Sequence, residues 1–276
     1  MRVSVGDARL YFEVFGQGRR PVLIGLHGGP GADGTKLRFQ LARLQDSAQV
    51  IVPDQRGHGR SDRKSKQTWN LASWAADVHG LVEALEVEHP VVLGVSFGGF
   101  VAQAYASQWP TEPRALVLVS TIPRAPDPEE TIERFREVGG DEAADVVRRD
   151  WESPSAATAE EWKRVCGPLT SLRPDPELER IRSERIETVE VSLHFNEELK
   201  TFDLREGLRS VRCPTLVLVG KRDPLVPVRL ARELVESLPA GLGRLELVED
   251  ASHDVFADNP DVSYGLVREF LAEVGR

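Results

Sequence analysis

The pattern G-x-S-x-G at residues 94–98 is the part of this chain that most directly predicts chemistry, and Ser96 stands at its centre. The pattern follows an apolar run, residues 90–93, and leads into a helix-compatible stretch, residues 98–109. A strand that turns sharply into a helix lifts one residue from the sheet edge, and the flanking glycines leave room for this turn. Ser96 is therefore the candidate nucleophile.

A serine hydroxyl is a weak nucleophile, so it needs a general base and an acid that orients this base. Of the six histidines, His253 is the candidate base, because it directly follows the last predicted strand, where a loop can reach the sheet edge near Ser96. Asp223 is the candidate acid, because it follows the strand predicted at residues 215–219. The position after the preceding strand holds a serine and a threonine, residues 120–121, and no carboxylate.

The sequence H-G-G-P-G at residues 27–31 predicts the site that would stabilise an oxyanion. It follows a predicted strand, and its glycines let the backbone approach a substrate closely. Preorganised N–H groups must point at the developing negative charge. We expect one N–H from Phe97, the residue after the nucleophile, and the second from Gly29. Gly28 is the less favoured donor and a candidate substrate contact.

The elements that position these residues follow a regular alternation. Continuous apolar runs are typical of parallel strands that are buried on both faces, and here they alternate with helical patterns. After an opening hairpin, this order predicts a doubly wound, mostly parallel α/β sheet. The predicted strands are residues 2–5, 10–15, 22–26, 50–52, 91–93, 115–119, 215–219 and 245–248. The predicted helices are residues 36–44, 71–85, 97–109, 228–238 and 262–274.

The alternation stops between residues 123 and 208, which contain no strand-like run and are rich in Glu, Arg and Ala. We predict that this segment is a helical cap inserted at the carboxyl ends of the strands, where ligands bind in open α/β sheets. Residues 1–122 and 209–276 would then form the core domain, and residues 123–208 the cap.

Composition limits the classes of function. The 276-residue chain has a net charge of −9, which disfavours nucleic acid and anionic membranes as partners. No apolar run approaches the ~20 residues of a membrane span. Cys166 and Cys213 have no metal-ligand spacing and suit a reducing cytosol. We therefore expect a cytoplasmic protein with no metal or other cofactor, and neither an H-E-x-x-H motif nor a dinucleotide-binding G-x-G-x-x-G motif is present.

The acidic excess is concentrated in the predicted cap. Residues 124–205 hold 21 acidic and 13 basic residues, an excess of eight. One interpretation is a solvated helical surface, and the other is an acidic lid whose field favours amine-bearing substrates. On a helix, Glu187, Glu190 and His194 would share one face at i, i+3 and i+7, either as exposed surface or as a site for a substrate ammonium.

Five signals stand in one order along the chain: H-G-G-P-G at residues 27–31, D-Q-R-G-H-G-R-S-D at residues 54–62, Ser96, Asp223 and His253. Together they resemble the serine hydrolases of the α/β-hydrolase fold over essentially the whole chain. The first two resemble in particular the proline iminopeptidase (prolyl aminopeptidase) branch. This resemblance implies removal of N-terminal proline from short peptides without a metal, with acidic residues, some from the cap, binding the amino group.

Other hypotheses remain open. The same triad beneath a different cap would serve a carboxylesterase or a lactonase that acts on small esters. Some proteins of this fold are ligand receptors, and a complete triad argues against that class. Ser at position 96 excludes the Asp nucleophile of epoxide hydrolases and haloalkane dehalogenases. The expected partner is a small-molecule or short-peptide substrate, and the oligomeric state is open. Within this fold we also expect Asp54 and Arg56 to form a buried ion pair that supports the oxyanion loop.

Overall fold

An eight-stranded sheet runs through the computed structural model, which describes residues 1–173 and 175–275. Its strands are β1 (Arg2–Val5), β2 (Ala8–Phe15), β3 (Val22–Leu26), β4 (Gln49–Pro53), β5 (Val91–Val95), β6 (Ala115–Val119), β7 (Thr215–Gly220) and β8 (Gly243–Val248). Their order across the sheet is β1-β2-β4-β3-β5-β6-β7-β8. The pairs β1–β2 and β2–β4 are antiparallel, and all other pairs are parallel. The predicted mostly parallel sheet is therefore confirmed.

Helices follow most of the strands, and each predicted helix is present within three residues of its predicted bounds. They are α1 (Thr35–Leu41), α2 (Leu71–Ala84), α3 (Phe97–Gln108), α4 (Pro128–Glu152), α5 (Ala156–Val165), α6 (Pro176–Ser183), α7 (Val189–Leu199), α8 (Arg205–Leu208), α9 (Val228–Ser237), α10 (Val255–Asp258) and α11 (Pro260–Val274). The largest difference is at α1, because residues 42–44 tighten into a 3₁₀ turn.

The central strands are apolar on both faces because helices cover both sides of the sheet. In β5, Val92 faces a core that includes residues of α2 and α3, whereas Val91 and Leu93 face a core that includes residues of α1 and α11. All three valine and leucine side chains are fully buried. Burying each such side chain contributes about 1.5–3 kcal/mol, so the doubly covered sheet is the main source of stability.

The insertion, residues 123–208, contains α4 to α8 and lies between β6 and β7. It has a small apolar cluster of its own, in which Phe135 and Cys166 are fully buried. Phe195 of α7 instead packs on the main core, where its ring centroid lies 5.1 Å from that of Phe97. The insertion therefore has both an internal core and an apolar contact with the sheet domain. The division of the chain into two domains stays a prediction.

Asp54 and Arg56 do not pair with each other, so the expected ion pair between them is wrong. Arg56 donates to Asp77 of α2 at 2.8 and 2.7 Å and to Asp7 at 2.7 Å. Asp54 accepts a hydrogen bond from Arg38 of α1 at 2.6 Å. Because α1 and α2 pack into different cores, one on each face of the sheet, each helix supplies the partner on its own side.

His58, in the same loop, is fully buried beside the start of α3. Its Nδ1 lies 2.9 Å from the carbonyl oxygen of Arg56, and its ring packs against those of Trp74 and Phe97. Burial, together with the neighbouring His27 imidazole, lowers the pKa of His58 to about 3. The folded chain therefore holds the His58 imidazole neutral.

Arg56→Met should destabilise the fold strongly. The substitution leaves the Asp77 carboxylate, only 7% exposed, without its cation, and burial already raises the pKa of this group. Removing one partner of a buried ion pair typically costs about 3–5 kcal/mol. Urea unfolding of the purified variant should show a loss of this order in the free energy of unfolding. The double variant Arg56→Met, Asp77→Leu should recover most of the loss. A single variant as stable as the wild type would contradict this role.

The free energy of unfolding should fall as the pH drops from about 6.5 towards 3, and His58 should contribute to this fall. The unfolded chain binds a proton on this histidine below its ordinary pKa of 6.5, whereas the folded chain does so only below about 3. The contribution of the neutral His58 to the free energy of unfolding is therefore complete above pH 6.5. It decreases as the pH falls, by up to about 1.4 kcal/mol per pH unit for one such group.

Urea unfolding at several pH values would measure this slope in the wild type and in His58→Gln. We expect a shallower slope in the variant between pH 6 and pH 4, and His89→Gln, at an exposed position, is the matched control. Equal slopes in the wild type and His58→Gln would disprove the assignment.

Candidate active site

Ser96 lies at the sharp turn between β5 and α3, with a φ of 53° and a ψ of −116°. The surroundings of Gly94 and Gly98 explain why this turn needs glycine on both sides of Ser96. A Cβ at Gly94 would overlap the backbone of Gly98, and a Cβ at Gly98 would overlap the carbonyl oxygen of Leu26. The N–H of Ser96 donates to the carbonyl oxygen of Val119 in β6 at 2.8 Å. The turn is therefore fixed by neighbouring strands, and it places Ser96 at the carboxyl edge of the sheet.

Asp223 and His253 lie side by side on the loops that follow β7 and β8. His253 Nδ1 is 2.8 Å from Asp223 Oδ2. The other carboxylate oxygen accepts the N–H groups of Leu225 at 2.8 Å and Val226 at 3.1 Å, and the Asp223 side chain is fully buried. These contacts fix the carboxylate, so it can orient the imidazole with Nδ1–H towards Asp223. The side chain of His253 is 17% exposed, and its Nε2 remains for a proton from another group.

Two residues that the sequence analysis set aside connect the nucleophile to the base. Thr121 Oγ1 donates to the carbonyl oxygen of Ser96 at 2.9 Å, and Ser120 Oγ donates to the carbonyl oxygen of His253 at 2.8 Å. Both residues are buried, and Ser120 has a φ of 48°. The signal was two small hydroxyl residues directly after the strand beside the candidate nucleophile. They carry no carboxylate, but they join the two loops that the chemistry needs.

The glycine turn at residues 27–31 lies against the candidate nucleophile. A Cβ at Gly28 would come within 3.2 Å of the Ser96 Cβ and 2.9 Å of the Val95 carbonyl oxygen. Gly29 has a φ of 66°, and its carbonyl oxygen accepts the N–H of Ala32 at 2.9 Å. Within residues 1–173 and 175–275, no hydrogen bond uses the N–H of Gly29. This geometry leaves that N–H available, and its oxyanion role stays a prediction.

Phe97 is the first residue of α3, where a backbone N–H has no acceptor within the helix. Its side chain is buried, with the ring centroid 4.9 Å from that of Trp74 in an edge-on arrangement. The aromatic packing fixes the backbone at the position that the sequence analysis assigned to the first oxyanion donor.

The loop at residues 54–62 is hydrogen-bonded to the first residue of the glycine turn. The N–H of Gln55 donates to His27 Nε2 at 3.1 Å, and the Gln55 side chain donates to the carbonyl oxygen of His27 at 3.0 Å. Asp54 accepts the N–H groups of Gly34 and Arg60, both at 2.9 Å. Burial raises the pKa of Asp54, but Arg38 and the hydrogen bond from the N–H of Arg60 outweigh this effect and hold the pKa below its usual value. Gln55 therefore holds the glycine turn directly, while Asp54 connects the loop at residues 54–62 to Gly34 and Arg38 at the start of α1.

Glu190 and His194 of α7 are both exposed, and the buried face of this helix carries Val191 and Phe195. Glu187 lies before the helix, so the expected face shared by Glu187, Glu190 and His194 is incomplete. The reason is that the segment before α7 is tied to the glycine turn, with the N–H of residue 188 bonded to the carbonyl oxygen of residue 31 at 2.7 Å. A substrate-binding role for Glu190 and His194 stays a prediction.

Many acidic side chains of the insertion pair with basic side chains at the surface. Glu187 pairs with Arg185 at 2.8 Å and with Lys163. Other pairs within the insertion include Glu129–Arg148, Glu161–Arg149, Glu184–Arg180 and Asp203–Arg205. Each paired cation cancels part of the negative field that a lid for amines would need. The arrangement favours the solvated helical surface over the acidic lid.

Among residues 1–173 and 175–275, no group of three or more His, Cys, Asp or Glu side chains could hold a metal ion. In the same part of the chain, no helix is long and apolar enough to cross a membrane.

Comparison with known proteins places these features in a family. The chain matches the family model described as alpha/beta hydrolase fold over residues 21–260. It is 30% identical to a putative carbamate hydrolase from Azorhizobium caulinodans, across 98% of this chain and 97% of that protein. It is 29% identical to a proline iminopeptidase from Saccharolobus solfataricus, across 96% of this chain and 89% of that protein. The structure of a thermophilic esterase from Thermogutta terrifontis is similar, with a TM-score of 0.74, 28% identity, and 100% and 99% of the two chains covered. The resemblance to proline iminopeptidases is thus confirmed, and the chain belongs to the alpha/beta hydrolase fold family.

Proposed function

We propose that this protein is a serine hydrolase that cleaves a small ester or amide through an acyl-enzyme. The observation that carries the proposal is the 2.8 Å contact between His253 Nδ1 and the fully buried carboxylate of Asp223. Directly after β6, Ser120 is bonded to the backbone of His253, and the adjacent Thr121 is bonded to the backbone of Ser96. The proposal assigns the nucleophile to Ser96, the base to His253 and the orienting acid to Asp223.

The reaction begins when Ser96 Oγ attacks the substrate carbonyl carbon and His253 Nε2 takes the hydroxyl proton. Asp223 holds the imidazole in the required tautomer and stabilises the imidazolium that forms. The negative charge on the former carbonyl oxygen is stabilised by the N–H groups of Phe97 and Gly29. The tetrahedral intermediate collapses, the bond to the leaving group breaks, and His253 gives the proton to that group.

A water molecule then attacks the acyl carbon, and His253 takes one of its protons. The second tetrahedral intermediate collapses, the bond to Ser96 Oγ breaks, and the proton returns to this oxygen. The carboxylic acid leaves, and the enzyme returns to its starting state without any cofactor. Losing one oxyanion donor in such a mechanism costs about 3 kcal/mol of barrier, so the proposed N–H groups contribute substantially.

For the substrate we propose a small ester or lactone, and a peptide or amide with a free amino end is the second candidate. An aminopeptidase needs a carboxylate that is free to bind the substrate ammonium. Glu187 already binds Arg185 and Lys163, which leaves the exposed Glu190 for this role. An ester needs no such group, so these contacts favour it. The second candidate is supported by the glycine-turn sequence and by the proline iminopeptidase relative.

Ser96→Ala should abolish turnover without unfolding the protein. Removing the nucleophile of a serine triad lowers kcat by at least about 10⁴-fold, because no covalent intermediate can form. A fluorophosphonate probe should label the wild type at this residue, which mass spectrometry of the peptide would locate. Ser183→Ala, at an exposed serine, should be labelled like the wild type. Wild-type turnover in Ser96→Ala would end the acyl-enzyme proposal.

The two substrate candidates differ in their response to a matched pair of chromogenic substrates. We expect the enzyme to hydrolyse 4-nitrophenyl acetate with a kcat/KM well above that for proline 4-nitroanilide, because Glu187 is already paired with Arg185 and Lys163 and Glu190 is exposed to solvent. Ser96→Ala provides the background rate for the activated ester. Faster cleavage of the anilide, together with a raised KM for it in Glu190→Gln, would instead establish the aminopeptidase candidate.

A further inference from the structure

The loop that carries the candidate acid is held by a side chain of the insertion. Arg134 of α4 is half-buried, and its guanidinium donates to the carbonyl oxygens of Asp223 and Pro224, the latter at 3.3 Å. The same loop is bonded to the sheet domain through the N–H of Asp223, which donates to Gly220 at 3.2 Å. One arginine of the insertion therefore binds the backbone of the loop that carries the candidate acid.

The loop that carries the candidate base is held by the insertion through Asp254, the residue next to His253. The Asp254 carboxylate is almost fully buried and accepts from Lys36 at 2.7 Å and Gln40 at 2.8 Å, both on α1. It also accepts from Arg182 of α6 at 3.1 Å. Burial raises the pKa of Asp254, but Lys36 and Arg182 outweigh this effect and hold the pKa below its usual value. This carboxylate thus joins the sheet domain, the insertion and the base loop.

A second buried carboxylate also joins the insertion to the loop that carries the candidate base. Asp258 is fully buried, and its Oδ2 accepts the N–H of Ser252, the residue before His253, at 2.7 Å. Its Oδ1 accepts from the Ser171 hydroxyl at 2.6 Å and from the N–H groups of residues 172 and 173 at 2.8 and 3.1 Å. The insertion is therefore bonded to the base loop on both sides of His253.

We propose that Arg134 and Arg182 are positioning residues, which hold the acid and base loops so that the imidazole and the carboxylate stay in register with Ser96. This proposal rests on the proposed function, because it assigns a role to the same three residues. Neither arginine is placed to contact the reacting atoms, since Arg134 binds main-chain carbonyls and Arg182 binds Asp254. Docking of the insertion is, on this account, a condition for an aligned base and not only a cover for substrate.

The test compares arginines that reach these loops with arginines that do not. The variants are Arg134→Met and Arg182→Met, and their matched controls on the same helices are Arg148→Met and Arg180→Met. Among the residues that the structure describes, these two control side chains pair with Glu129 and Glu184, respectively. Three quantities are measured: the rate of labelling by a fluorophosphonate, kcat and KM for 4-nitrophenyl acetate, and the low-field proton resonance of His253 Nδ1–H. The resonance is identified by its loss in His253→Ala.

Arg134→Met and Arg182→Met should each lower the labelling rate and kcat by about tenfold or more, because a misplacement of about 1 Å at a reacting pair can cost about 100-fold in rate. KM should change less than kcat, and the low-field resonance should shift or broaden. Arg182→Lys keeps a cation at Asp254 and should restore most of the rate. The two control variants should behave like the wild type.

Wild-type labelling rates and an unchanged low-field resonance in both methionine variants would overturn the proposal. If either methionine variant fails to fold, Arg134→Gln or Arg182→Gln replaces it, because glutamine lacks the charge and the reach of arginine. A wild-type labelling rate and an unchanged low-field resonance in that glutamine variant would likewise overturn the proposal. A wild-type protein that no fluorophosphonate labels would refute the proposed function. In that case the resonance still reports whether the two arginines hold the histidine beside Asp223.

Discussion

The left-handed backbone at Ser96 is the constraint on which the rest of the site depends. A residue with a side chain at a φ of 53° is strained by an energy of order 1–3 kcal/mol and persists only where its surroundings hold it. Here the N–H of Ser96 bonds to Val119, and its carbonyl oxygen accepts from Gly99 and from the hydroxyl of Thr121. These partners lie on α3, at the end of β6 and two residues beyond β6. The strained turn therefore requires that β6 ends, and α3 begins, at these residues. The position of the candidate nucleophile thus depends on the neighbouring strand and helix as well as on the local motif.

The same edge of the sheet then determines where the other polar groups can lie. Residue 120 follows β6 and bonds to the backbone of His253, while Asp223 follows β7 and bonds to its imidazole. The Asp223 carboxylate also accepts two backbone N–H groups, so its orientation is set before any substrate arrives. Groups that are held in place beforehand need no reorganisation as charge develops, and this is the main advantage of an enzyme site over water. Three distant segments of chain therefore form one preorganised arrangement.

The sequence predicted this fold well because its signals are local. Continuous apolar runs identify the parallel strands, and glycines that flank Ser96 identify the turn, whatever the rest of the chain does. Side-chain partners are not local. The pairing of Arg56 with Asp77 instead of Asp54, and the place of Glu187 outside α7, both depend on elements that the fold brings in from elsewhere. The order of Ser, Asp and His predicted the pairing of Asp223 with His253. Nothing in that order indicated that hydroxyl groups at residues 120 and 121 would connect the Ser96 turn to the His253 loop.

Charge composition was the least informative signal, and the reason is physical. A count of acidic residues ignores where each one is placed, and exposed ion pairs such as Glu129–Arg148 contribute little to stability or to the field at a distance. Arg134 and Arg182 belong to the same acidic segment. Unlike the arginines in surface ion pairs, they donate hydrogen bonds to the loops that carry the candidate acid and base. Hydrogen bonds to buried carbonyl and carboxylate groups are costly to lose, because the remaining partner stays unsatisfied away from water. The insertion therefore contacts the candidate site through a few hydrogen bonds to the acid and base loops, while many of its charged side chains form ion pairs at the surface.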